Sequence, residues 1–320
     1  MNISVTAPFK SAWNHMVRIL FKPFDIKKWF VLGFCAFLAQ CGEGGGSGNT
    51  GNWNQSGGTS FQETADNIET WITANWALFL SIAIGSVLFI LIINLLVTWL
   101  SSRGKFMLLD GVVKNRGAVV EPWSEYKTEG NSLFIFRFII SIIVMISFML
   151  ILGISAYFAY PDFQAETWET GATNAIILLV GLGVPLAIIC IAFKFFLGGF
   201  VIPTMYLRRV RVMEGMQLAW NHICKGHMGS AVLLFFMMFL LGIGVAIIAV
   251  VVTCATCCIA ALPYISAVVF LPITVFFTCY FLAYIEQFGN DWKFFTPVCD
   301  SCGYDKQGHA VDAKCPECGK

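Results

Sequence analysis

Five apolar runs, each long enough to cross a hydrocarbon layer as a helix, constrain this chain more than any other feature. They occupy residues 76–100, 133–157, 175–193, 231–253 and 264–285, and Arg137 is the single Asp, Glu, Lys or Arg within them. A helix rises 1.5 Å per residue, so about 20 residues cover a core of roughly 30 Å. A sixth run, 29–41, is shorter and stops at a Gly-rich stretch. Only 12% of the 320 residues are charged and 58% are hydrophobic, against about 25% charged in a soluble domain. So large an apolar excess does not fit inside a water-soluble core of this size, and the expected class is an all-α polytopic membrane protein.

The cations decide how the sixth run is read. If residues 29–41 cross, every Lys and Arg falls on one side. Lys10, Arg18, Lys22, Lys27 and Lys28 precede the first run, and Arg103, Lys105, Lys114, Arg116, Lys127 and Arg137 follow the second. Lys194, Arg208, Arg209, Arg211 and Lys225 form the third inner group, with Lys293, Lys306, Lys314 and Lys320 in the tail. The opposite side carries acids alone, Glu43, Glu63, Asp66 and Glu69, then Asp162, Glu166 and Glu169. Short loops rich in Lys and Arg stay cytoplasmic. The pattern therefore predicts six transmembrane helices in a bacterial inner (cytoplasmic) membrane, with both termini cytosolic. A short first span is tolerated by local thinning of the bilayer. Residues 1–295 form the membrane domain, with a flexible polar outer linker at 42–60, and residues 296–320 form a separate cytosolic unit.

Ala12-Trp13-Asn14-His15 recurs as Ala219-Trp220-Asn221-His222, each copy shortly before an apolar run. Phe9, Trp13, Met16 and Leu20 are spaced 4, 3 and 4, and Met213, Met216, Trp220 and Ile223 are spaced 3, 4 and 3, as on one face of a helix. Val120, Trp123 and Tyr126 make a weaker third copy, opened by Glu121-Pro122. The expected unit is an interfacial helix followed by two spans, repeated three times.

Residues 201–227, VIPTMYLRRVRVMEGMQLAWNHICKGH, and 283–291, AYIEQFGND, resemble uncharacterised bacterial six-helix membrane proteins related to the membrane domain found beside some glycerophosphodiester phosphodiesterases. The resemblance covers most of residues 1–295 and implies a fold and a membrane location. The catalytic barrel of those enzymes has no counterpart here, so the resemblance implies no active-site residue.

The clearest chemical site lies in the tail, PVCDSCGYDKQGHAVDAKCPECGK. Cys299 and Cys302, then Cys315 and Cys318, form two CxxC pairs 12 residues apart. Four thiolates at that spacing suit a tetrahedral Zn²⁺, with Gly303 and Gly319 relieving the turn after each pair. Four Cys ligands close the coordination shell, so the zinc is expected to be structural and His309 a bystander. Iron in a rubredoxin-like site is the alternative, less well matched by so short a gap. The short tail cannot bury a core, and metal binding must supply its folding energy.

The remaining cysteines, Cys35, Cys41, Cys190, Cys224, Cys254, Cys257, Cys258 and Cys279, read as small hydrophobes in or beside the spans. Arg137, Lys194 and Glu286 sit near inner helix ends, where long side chains reach water. Gly181 with Gly183, and Gly242 with Gly244, read as points of close helix packing, with a broken-helix binding site as the alternative. No nucleophile, base and acid gather in the sequence, so no enzyme is expected. The expectation is a membrane scaffold, regulatory or assembly protein, lipid-embedded, whose ribbon contacts a protein partner or a second copy of the chain. With a net charge of +1 and acids balancing the tail's lysines, nucleic acid is not an expected partner. The alternative is a transporter or channel for an apolar or lipid-like solute.

Overall fold

A computed structural model describes residues 3–41, 75–164, 170–256 and 262–295, together with 316, 318 and 319. The described residues form helices and no strands. In chain order these are α1 (Ala7–Phe21), α2 (Ile26–Gln40), α3 (Trp76–Val113), α4 (Val120–Glu125), α5 (Lys127–Gln164) and α6 (Thr170–Phe196). A π-turn, Leu197–Val201, joins α6 to α7 (Ile202–Arg208). After α8 (Val212–Ala219) and a second π-turn, Trp220–Cys224, come α9 (Met228–Ala255), α10 (Pro263–Val269) and α11 (Leu271–Ile285). Two 3₁₀ turns, Glu286–Phe288 and Asn290–Trp292, close the described chain before the tail.

Five helical stretches are long and apolar enough to cross a membrane, at Trp76–Val113, Lys127–Asp162, Thr173–Arg208, Met228–Ala255 and Leu271–Phe288. This is a helical membrane protein. The first four run past the apolar limits read from sequence. Their outer parts are bare: Leu88, Phe89, Ile90, Ile143, Met149, Ile177, Ile188, Phe239 and Val250 all face outward. In water each such side chain would forgo about 1.5–3 kcal/mol of burial, whereas hydrocarbon solvates it without a protein partner.

At the other end the same helices enter a close-packed head. Phe106, Met107, Phe200, Met205, Tyr280 and Tyr284 are fully enclosed there, with α1, α2 and α11 completing the core. α1 runs antiparallel to α11. Ser4 and Gln287 exchange two hydrogen bonds of 2.9 Å, and Phe9 meets Phe276 edge-on at 5.2 Å.

α2 begins at Asp25, whose carboxylate accepts from the Lys27 N–H at 2.8 Å, the expected N-cap chemistry. Its 15 residues reach only about 22 Å. They lie antiparallel to the end of α3 that follows its apolar run. The Ser101 hydroxyl donates to the Ala39 carbonyl at 2.9 Å, Gly104 abuts the Leu38–Ala39 backbone, Gly111 abuts Leu32, and Lys28 donates to Asn115. The short sixth run is thus a helix, but its neighbour is 101–113 of α3 and the turn that follows, rather than 76–100. The last apolar run is divided, because α10 ends at Phe270 before Pro272 starts the next turn.

The break between α6 and α7 has a local cause. Pro203 has no N–H to return to Gly199, and the Ile202 N–H bonds instead to Leu197, one residue further back. The wide turn leaves Gly199 against the Phe281 ring, where a Cβ would lie 2.4 Å from the nearest ring carbon.

Candidate functional site

One buried carboxylate organises the head. Asp110, on α3, has no solvent exposure. Lys114 Nζ lies 2.7 Å from its Oδ1, and Arg116 Nη2 lies 3.0 Å from its Oδ2. The Tyr126 and Tyr206 hydroxyls donate to Oδ1 at 3.3 and 3.2 Å. The two phenol rings stack at 4.9 Å, and the Arg209 guanidinium covers Tyr126 at 3.8 Å. Arg209 continues the network to Glu125 and Glu129, and Arg116 to Glu121. Loops and helices far apart in sequence, α3, α4, α5 and α7, are therefore joined through one anion. Burial disfavours the charged Lys114 amine, but its hydrogen bond to Asp110 and that carboxylate's charge outweigh burial and hold its pKa above the ordinary lysine value. Burial raises the Tyr126 phenol, keeping it a neutral donor.

Asp110 was not legible as special. It is one acid in the otherwise apolar word FMLLDGVV, and the only local hint is Lys114 four residues on.

A second group sits where α3 leaves its apolar run. Arg103 is 7% exposed and lies between the Trp99 and Trp123 rings, at 4.6 and 4.8 Å. It donates to Asn131 Oδ1 at 3.0 Å. Arg137 donates to the Ser101 and Ser102 hydroxyls at 3.2 and 3.3 Å. It thus binds across to α3, where sequence predicted a side chain reaching for water. Trp123, the weak third motif, acts here as one face of a cation–π sandwich.

The two AWNH words occupy matching environments. Ala12 and Ala219 are both 0% exposed, while Trp13 and Trp220 are 53% and 48% exposed. His15 stacks on Phe295 at 4.0 Å and His222 meets Trp292 at 5.9 Å. Both histidines thereby grip the chain immediately before the four-cysteine tail. Trp292 is buried and carries the Arg208 guanidinium 5.2 Å above its ring. Glu286 accepts the Phe294 and Phe295 N–H groups, each at 2.8 Å. That carboxylate is spent on backbone rather than on solvent.

Of the expected zinc ligands, Cys299, Cys302 and Cys315 lie outside the described residues, as do Gly303 and His309. Cys318 is half-buried, and Gly319 after it adopts φ 69°, a left-handed conformation that glycine takes without strain. Among the described residues no group of three His, Cys, Asp or Glu comes together to hold a metal. Cys257 and Cys258 also lie outside the described residues. Cys35, Cys224 and Cys279 are buried free thiols, and Cys254 is exposed. Burial pushes the Cys224 thiol up to about 11. Gly181, Gly183, Gly242 and Gly244 differ from expectation, for a Cβ at any of them would meet nothing within 4 Å. Close packing through glycine occurs instead at Gly104, Gly111 and Gly199.

Residues 4–289 match a family of unknown function, DUF7544. The chain belongs to that family. The match takes in both AWNH words, Asp110 and its partners, and Glu286, and it ends before Trp292 and the four-cysteine tail. Neither the curated proteins nor the solved structures contain a match.

Proposed function

We propose that this member of DUF7544 is a non-catalytic inner-membrane scaffold or assembly protein that holds a cytosolic zinc ribbon at a fixed place beside its head. The observation that carries this reading is the grip on the root of the tail. His15, His222 and Arg208 contact Phe295 and Trp292 from three separate helical segments, and Glu286 ties the backbone between them. A tail that merely hung in solution would not need its first residues anchored from α1 and from the helix before α9. The matching burial of the two AWNH words supports an interfacial-helix repeat, and a kinship with the membrane domains beside glycerophosphodiester phosphodiesterases is compatible with it.

The ribbon's four ligands are Cys299, Cys302, Cys315 and Cys318, saturating one structural Zn²⁺ and leaving its outer surface for a protein partner or a second copy. Purified protein should contain about one zinc per chain, and Cys315→Ser should lose it while the helical content of the membrane part stays unchanged, because a three-thiolate site binds far more weakly. A photoreactive side chain at Lys314 should give a discrete protein adduct in cells that disappears in Cys315→Ser. Iron in place of zinc, or no adduct in the parent, overturns the interaction-module reading.

The same proposal places both termini inside, with six crossings. The support is the one-sided distribution of all 20 Lys and Arg. Against it stands the place of α2, which lies along residues 101–117 past the apolar run of α3 and falls about 8 Å short of a 30 Å core, so a crossing there requires the bilayer to thin toward that end of α3. In a chain stripped of native Cys, a cysteine replacing Ser47 should label from outside with an impermeant maleimide and one replacing Ser301 should not. Equal labelling removes the six-crossing topology.

A second reading, a carrier for a lipid-like solute, rests on one cavity. A largely apolar space of about 330 Å³ opens at the π-turn break, between Leu108, Ile202, Phe277 and Phe281, with Gln40 and Lys105 among its polar lining. Retention of a lipid at that position in purified protein would favour the carrier reading over a scaffold.

A further inference from the structure

We infer that the head contains a binding site for a phosphate-bearing small molecule, distinct from the zinc tail and standing independently of it. The site is a cavity of about 510 Å³ enclosed by the last turns of α1, the end of α3 and its following turn, Tyr206 of α7, and Phe294–Phe295. Its polar wall is cationic. Arg18, Lys114 and His15 line it, and among the described residues no carboxylate does.

The pairing of these groups separates structural charges from available ones. Lys114 is committed to Asp110 and Glu125, at 2.7 and 3.3 Å. Arg18 makes no ion pair with any described residue. Its place in the last turn of α1 suits the negative end of the helix dipole, which explains the sign of its charge. It does not explain why the guanidinium borders a polar cavity in which Asn115 and the Tyr206 phenol are the other hydrogen-bonding groups. Asn115 is held there at φ 52°, a left-handed conformation that Asn tolerates better than most residues. Its side-chain oxygen accepts from Lys28, which also donates to the Ile19 carbonyl at 2.6 Å. Lys28 thereby stands behind the lining residues Ile19 and Asn115, its amine spent on these two oxygens.

An anion entering this space meets the Arg18 guanidinium, able to form two parallel N–H···O bonds of the kind phosphate oxygens prefer, beside the positive field of Lys114, whose amine Asp110 and Glu125 already hold. Ile19, Val112, Val113 and the Phe294–Phe295 pair supply an apolar wall. The volume exceeds that of a bare phosphate and leaves room for an organic body against this wall. A soluble phosphoester and a phospholipid headgroup share that chemistry. An occupant also touches Phe295, the ring on which His15 stacks, so binding should stiffen the root of the tail.

The test uses full-length protein in neutral detergent. Thermal unfolding is followed against sodium phosphate, with sodium chloride at matched ionic strength, and lipid retention is followed by native mass spectrometry with added phosphatidylglycerol or phosphatidylcholine. Phosphate should raise the midpoint saturably where chloride does not, or phosphatidylglycerol should be retained over phosphatidylcholine. The first result alone marks a soluble ligand and the second alone a headgroup. Arg18→Gln should weaken the response about tenfold or more, the equivalent of one lost charge-assisted contact, and Arg18→Lys should retain part of it. No saturable phosphate effect together with no lipid preference in the parent overturns the site. So does an Arg18→Gln protein that responds as the parent does.

Discussion

Asp110→Ala is expected to lower the unfolding free energy of the head by about 3 to 4 kcal/mol, within the range of roughly 3–5 kcal/mol for removing one partner of a buried ion pair. Lys114 and Arg116 keep 38% and 33% of their side chains exposed, so both can turn toward water, Glu125 or Glu121 when the carboxylate is lost. That places the cost toward the lower part of the range. The Tyr126 and Tyr206 hydroxyls lose their shared acceptor inside the core; one can still donate to the other, which leaves one buried donor unpaired at about 1–3 kcal/mol. Asp110→Asn keeps one acceptor oxygen for the two phenols but loses the charge and turns an NH2 donor toward Arg116, so it should fall between Ala and the parent. Denaturation in mild detergent, read by tryptophan fluorescence, orders the three proteins. A parent-like midpoint for Asp110→Ala would show that the network is a surface decoration and not the joint of the head.

Gly104→Ala should be the second severe change, and a pair of sister substitutions shows why. A Cβ at Gly104 would lie 2.7 Å from the Ala39 nitrogen and 2.7 Å from the Leu38 carbonyl carbon. Both are backbone atoms of α2, so relief requires the whole helix to move, and overpacking of that kind costs about 1–3 kcal/mol or more. At Gly111 the nearest atom is the Leu32 Cδ2 at 2.5 Å, the tip of a side chain that can rotate, and Gly111→Ala should cost less. Gly181→Ala and Gly242→Ala meet nothing and should be neutral or stabilising by up to about 1 kcal/mol, as Ala restricts the unfolded chain and favours helix. Thermal midpoints of the four variants, measured side by side, check the order. If Gly242→Ala destabilises as much as Gly104→Ala, the outer half of α9 packs against something beyond the single chain.

Much of this protein is local in origin and could be read without coordinates. Four long membrane helices follow from apolar length alone, because hydrocarbon forces each backbone to satisfy its own hydrogen bonds within one continuous segment; the fifth run is apolar enough to cross but is divided at Phe270. The amphipathic stretches around Trp13 and Trp220 follow from spacing, since a helix repeats its face every three to four residues. The buried stripe does not follow from it: Met16, Leu20 and Ile223 lie in the core with Ala12 and Ala219, while Phe9, Trp13, Met213 and Trp220, read as the same apolar face, stay exposed in the chain. The turn after Cys318 follows from glycine's freedom at positive φ.

What only the tertiary structure decided is which polar groups meet. Asp110 lies 16 residues from Tyr126 and 96 from Tyr206, and no periodicity connects positions so far apart. Arg137 resembled any cation near a helix end until Ser101 and Ser102 were found across from it. The tight glycines could not be told from the open ones, because Gly104 and Gly242 look alike within their own helices and differ only in what the fold lays against them. The same holds for α2, whose length and apolar character were plain but whose place was not. It lies beside 101–117, where small residues and a buried carboxylate let a short helix sit against a long one, and a one-dimensional pattern carries no record of that neighbour.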